Sequence, residues 1–125
     1  MSNFITQEST PTAPSIGSRR IRPFQELDQF LREVDGMELG FRGLHLLVHL
    51  HLSTSSKRLK ELASAIGISG AGITGVADQL QAKGLVVREI PPNDRRSIYL
   101  TLTPLGTRFA NWIGDSLERA FGDKS

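Results

Sequence analysis

The sequence contains no cysteine. A disulfide framework, a thiolate nucleophile, a thiol-based redox sensor and a Cys-ligated zinc are therefore excluded. Histidine is scarce, at three, and Tyr and Trp occur once each. No catalytic triad is recognisable, so the reading is a non-enzyme with no cofactor. No apolar run reaches the ~18–20 residues needed to span a bilayer. The N-terminus lacks the apolar core of a secretory signal. No membrane partner is expected, and the expected location is the cytoplasm. At 125 residues, the chain is expected to form one domain around a single core.

Acidic residues are sparse in one stretch. From Lys57 to Arg108 eight bases (Lys57, Arg58, Lys60, Lys83, Arg88, Arg95, Arg96 and Arg108) stand against four acids (Glu61, Asp78, Glu89 and Asp94). The remainder holds seven bases and nine acids. A basic half on a mildly acidic frame suits a polyanion partner, although a solvated scatter of charge would look the same.

Residues 1–22 are rich in Ser, Thr and Pro, lack periodicity and read as a disordered arm with a basic end at Arg19, Arg20 and Arg22. The domain is expected over 23–125. "PFQELDQFLREV" repeats its apolar residues at three and four, as an amphipathic helix does. "GFRGLHLLVHLHL" is apolar almost all round, which predicts a helix buried on most sides. "STSS" interrupts it, and "KRLKELASAIG" returns to helical spacing. A further helix runs from the glycine-rich stretch to Lys83-Gly84, a basic residue and a glycine that signal a helix stop. "LVVREI" and "IYLTLT" read as strands around the turn cluster Pro91-Pro92-Asn93-Asp94. The last helix opens at Pro104, with Leu105, Phe109, Trp112, Ile113, Leu117 and Phe121 as its stripe. The expected order is four helices, a hairpin and a helix: mainly α with a small β-hairpin.

Within "ISGAGITG", Gly70, Gly72 and Gly75 have the G-x-G-x-x-G spacing of a dinucleotide-binding loop, and Glu89 lies near the place of its ribose-binding acid. Such a loop must follow a buried strand, yet Leu59 to Ile66 carry helical spacing. The fold also needs further βα units, and here only a hairpin and one helix follow. Two helices ahead of the stretch would have no sheet to cover. The dinucleotide reading is therefore a remote alternative.

Ala63, Gly67 and Ile73 have instead the spacing of a helix-turn-helix. A small residue lets the second helix cross closely, and glycine at the turn adopts a positive φ without strain. Ile73 and Val76 plug the second helix into the core. Ser69 is placed to cap it. A second helix of this kind enters the major groove of DNA.

"NDRRSIYLTLTPLG" resembles the wing and following strand of the MarR family of bacterial transcription regulators, through Asp94, Arg96, Ile98, Leu100, Leu102, Thr103 and Gly106. "LKELASAIGISGAGITGVADQLQAKGLVVRE" resembles the same family's helix-turn-helix. The likeness is tight over about 57–108 and loose in the flanking helices. It implies a winged helix-turn-helix with a DNA-binding core at about 57–103. It also implies a homodimer on a pseudo-palindromic operator, acting as a repressor. The second helix would present Ser69, Gly70, Ala71, Thr74, Gly75 and Gln79 to the major groove of double-stranded DNA. Arg95 and Arg96 would reach the minor groove, with Asp94 orienting one of them. A winged-helix protein-interaction module with little DNA binding is the alternative.

The chain departs from the family pattern. Side chains that pair bidentately with base edges are few on the second helix. Asp78 would meet phosphates poorly. The residues after the Trp112 helix are few, so a smaller or differently built dimer is expected. The first helix is short. His45 and His49, four apart, would suit a metal, but no third ligand is identifiable and no metal is expected. The resemblance implies a place for a small-molecule effector between the helix-turn-helix and the dimer helices, with His45, His49 and Trp112 as candidates.

Overall fold

The structure is a computed structural model that describes residues 21–53, 56–94 and 96–122. Most of the expected N-terminal arm lies outside these residues. Its last two residues do not belong to an arm: helix α1 spans Ile21–Gly36. Pro23 falls in the first turn, where a missing N–H is no loss because that donor would have no intrahelical partner.

Helix α2 spans Gly40–Leu52. It buries Gly43, Leu46, Leu47 and Leu50 but leaves Phe41 79% and Leu52 74% exposed. The expectation of burial on most sides is thus corrected. One face packs on the rest of the chain, and Phe41, His45, Val48 and Leu52 form an outward stripe at helical spacing. A two-residue strand that periodicity could not reveal, β1 (Lys57–Arg58), precedes α3 (Leu59–Ile66).

Helix α3 ends at Gly67, whose φ of 76° is the left-handed conformation that glycine accommodates without a clashing Cβ. Helix α4 spans Gly70–Ala82 and is capped by Ser69, whose hydroxyl oxygen accepts the Gly72 N–H at 2.9 Å. Ala63 is buried, and so are Ile73, Ala77 and Leu80 on the inner face of α4. Of the residues that its spacing singled out, Ala63 and Ile73 close the helix-turn-helix, whereas Val76 is only half-buried and Ala77 takes a place in the core beside them.

Strands β2 (Val86–Glu89) and β3 (Tyr99–Leu102) form the hairpin. With β1 they make a three-stranded antiparallel sheet in the order β1-β3-β2. Leu100 is fully buried, with Ile98 and Leu102 half-buried on the alternating positions.

Helix α5 spans Pro104–Phe121 and is capped by Thr103. The Thr103 hydroxyl accepts the Gly106 N–H at 2.9 Å and donates to the Gly84 carbonyl at 2.6 Å. A Cβ at Gly106 would collide with the Leu85 carbonyl, so the helix start lies against the entry to β2 only because this residue is glycine. The expected α5 stripe divides. Phe109 and Ile113 are buried, whereas Leu105, Leu117 and Phe121 are exposed. Trp112 stacks on Phe30 of α1 and on Phe109, at centroid distances of 5.3 and 5.4 Å. The core joins Leu46, Leu47, Leu62, Ile73, Leu80 and Leu100 behind the outer faces of α4 and the hairpin.

Candidate nucleic-acid interface

Gly70, Ala71, Thr74, Gly75, Asp78 and Gln79 all lie exposed on the outer face of α4. A Cβ at Gly70 or Gly75 would meet nothing within 4 Å, so both positions open onto solvent. They are not part of a strand-to-helix phosphate loop. The stretch before them is the turn of a helix-turn-helix, and the sheet is antiparallel. The Thr74 hydroxyl donates to the Gly70 carbonyl at 3.1 Å, which leaves the oxygen's acceptor capacity for a ligand.

Asp78 is less of a liability than its charge implies. The Arg88 guanidinium, reaching across from β2, pairs with its carboxylate at 2.7 Å. The same guanidinium donates to Gln81 Oε1 at 2.8 Å and to the Thr74 carbonyl at 3.3 Å. One half-buried arginine thus neutralises the acid and ties α4 to the hairpin. Sequence reasoning assigned Arg88 no role, because nothing in the spacing fixes how a helix face meets a strand ten residues on.

At the hairpin tip, Asp94 shapes backbone. Its carboxylate accepts the Ser97 hydroxyl at 2.7 Å and the Arg96 backbone N–H at 3.2 Å. These two hydrogen bonds, with the Arg58 charge adding to them, hold the carboxyl below its ordinary pKa. Among the described residues no ion pair joins Asp94 to the Arg96 guanidinium. Of the contact expected between Asp94 and Arg96, the structure shows the hydrogen bond to the Arg96 backbone N–H. Arg96 is exposed, and Arg95 lies outside the described residues.

Between the first turn of α4 and the wing lies a groove of about 350 Å³, lined among others by Arg58, Lys60, Gly70, Thr74 and Arg96. Arg58 and Lys60 were expected only as members of the basic half. The two-residue strand β1 is what brings them to this face.

The three effector candidates do not form one cluster. His45 is half-buried with its ring 6.0 Å from that of Phe41, and His49 is half-buried further along α2. Trp112 belongs to the aromatic stack between α1 and α5. Among the described residues no three His, Cys, Asp or Glu side chains gather as a metal site, and no helix is long and apolar enough to cross a membrane.

A helix-turn-helix followed by a β-hairpin with a basic tip, with flanking helices behind it, defines a winged helix-turn-helix. Residues 43–98 match the model of the MarR family. The HTH-type transcriptional regulator FarR of Neisseria gonorrhoeae is 31% identical over 75 residues, 60% of this chain and 51% of that protein. The transcriptional repressor MprA of Escherichia coli is 41% identical over 49 residues, 39% of this chain and 28% of that one. In the crystal structure of the S. aureus MepR–DNA complex, the protein has the same fold, with a TM-score of 0.65 at 21% identity. The match covers 75% of this chain and 74% of that one. The chain spans 51–58% of the length of the curated relatives FarR, YkoM and the hcr operon regulator. The matched relatives are named as transcriptional regulators, not enzymes.

Proposed function

We propose that this chain is a sequence-specific DNA-binding transcription regulator that acts in the cytoplasm as a homodimeric repressor on a pseudo-palindromic operator. Helix α4 enters the major groove, and Arg95 and Arg96 approach the flanking minor groove. The observation that carries this reading is the shared exposure of the α4 outer face and the cation-lined groove beside the wing. The exposed α4 face offers few side chains for base edges, so phosphates and groove shape bear more of the affinity. Repression is supported by the name of the relative MprA. A small-molecule effector acting between the helix-turn-helix and the dimer helices belongs to the same proposal.

The second reading, a winged-helix protein-interaction module, is favoured by one feature. Gly70, Ala71 and Gly75 give α4 a smooth, uncharged patch. A gel-shift against the DNA flanking the chain's own gene separates the two. Retardation that survives excess unrelated duplex supports the regulator. No retardation at low salt with any duplex removes DNA as the partner.

A further inference from the structure

We infer that Arg58, fixed in place by Tyr99, contacts the DNA backbone between the recognition helix and the wing, and that Tyr99 is its positioning residue. The inference rests on the DNA-binding reading above and adds a contact that the helix-turn-helix and wing signatures do not contain.

The pairing of β1 with β3 sets Arg58 opposite Tyr99. The Arg58 Nε–H donates to the Tyr99 hydroxyl oxygen at 3.2 Å, and the guanidinium carbon lies 5.9 Å from the centroid of the Tyr99 ring. A solvated arginine samples many rotamers and loses that freedom on binding. One already held by a hydrogen bond and an aromatic ring loses less. The nearby Glu61 and Asp94 charges favour the guanidinium, but among the described residues neither forms an ion pair with it, and Glu61 Oε1 accepts the Arg58 backbone N–H at 3.3 Å, at the start of α3. Arg58 is exposed, and among the described residues its two terminal nitrogens make no hydrogen bond.

The place where they end is chemically coherent. Arg58, Lys60 and Arg96 line one groove with Gly70 and Thr74. Ser69 caps α4 by taking the Gly72 N–H, which leaves the Gly70 and Ala71 N–H groups without an intrahelical partner. Cations in a planar fork beside free backbone donors suit the oxygens of a phosphodiester. The groove opens on the face that carries the recognition helix and the wing. The occupant is therefore the backbone of the same duplex.

The test measures affinity for one mixed-sequence duplex across a salt series, together with thermal midpoints. The variants are Arg58→Gln, Arg58→Lys, Tyr99→Phe, the double variant Arg58→Gln/Tyr99→Phe, and Arg96→Ala as control. Arg58→Gln should weaken binding by about tenfold and reduce the salt slope by about 1, with little change in midpoint. Arg58→Lys should keep the slope and lose less affinity. Tyr99→Phe should weaken binding with the slope retained, and should add nothing in the Arg58→Gln background, since it acts through that residue. An unchanged slope in Arg58→Gln overturns the contact. An equal Tyr99→Phe loss with or without Arg58 overturns the positioning role. If the wild type binds and Arg96→Ala weakens it while Arg58→Gln does not, this inference alone falls. A wild type that binds no duplex removes the DNA-binding reading and this inference with it.

Discussion

Asp94 shows how one carboxylate can shape the wing tip through hydrogen bonds to its own turn. By accepting from Ser97 and from the Arg96 N–H it closes the wing tip, and the two bonds depress its pKa. A group with a depressed folded-state pKa adds stability above its unfolded pKa and loses it as pH falls through the folded value. The difference in thermal midpoint between wild type and Asp94→Ala should therefore stay constant above about pH 5 and shrink as pH falls below the ordinary carboxylate range, through the depressed folded-state pKa. A scan of both proteins by circular dichroism checks this; a difference that grows on acidification contradicts it. The open space at Gly75 gives a second test at this scale. Gly75→Arg places a cation on the outer face of α4 and replaces a poor helix former, a gain of up to about 1 kcal/mol. It should fold normally and alter DNA affinity or sequence preference in a gel-shift. Arg96→Ala should weaken binding to every sequence and lower the salt slope by about 1 if it meets phosphate. If it reads a narrow A·T groove, the loss should follow the flanking sequence. Two folded variants with unaltered binding would leave the protein-interaction module as the better reading.

The helix and the hairpin are linked by the Asp78–Arg88 pair, and its energetics follow from unequal exposure. The Arg88 side chain is 22% exposed and that of Asp78 64%. Solvent screens the acid, so the coupling in a double-mutant cycle should be modest, about 0.5–1 kcal/mol. The effect on DNA should be larger and should reverse in sign. Arg88→Ala frees an acid on the exposed outer face of α4 and should weaken binding. Removing Asp78 as well should restore much of it. Fluorescence anisotropy with the two single variants and the double variant checks this; a double variant weaker than Arg88→Ala contradicts it. None of this pair was legible in the sequence, because periodicity assigns each residue a face on its own element but not the partner that face meets. Strand β1 was hidden for a related reason: two residues carry no period. Legibility was high where local chemistry decides. The Gly67 turn, the Ser69 cap and the Pro91–Asp94 turn each need particular residues at particular places, and they stand where the sequence put them. For α2 and α5 the sequence showed the apolar residues but not how a single chain would divide them between core and surface.

That division leaves apolar surface on all three flanking helices. Phe24 and Leu31 on α1, Phe41 and Leu52 on α2, and Leu117 and Phe121 on α5 are between 42% and 79% exposed. Isolated surface hydrophobics are ordinary, but six large ones on the three flanking helices need a cover. In the proposed homodimer a second copy of the chain would supply a self-complementary one through a two-fold axis. It would also set two recognition helices about one turn of DNA apart, as a pseudo-palindromic operator requires. A stable interface of this type buries about 1,600 Å² in total. Sedimentation at tens of micromolar should therefore give a dimer, and a monomer alone would remove this arrangement. Phe121→Glu should shift the equilibrium toward monomer without unfolding the chain, since its side chain is 58% exposed in the single subunit. Phe41→Glu asks whether the α2 stripe belongs to the same interface. The monomeric variant then makes a prediction of its own. It retains one α4 and one wing, so it should bind a half-site with about half the wild-type salt slope, because the slope counts the phosphates neutralised per complex. A monomeric variant with the full slope would mean that one subunit already makes every backbone contact, and that dimerisation serves something other than the reading of two half-sites.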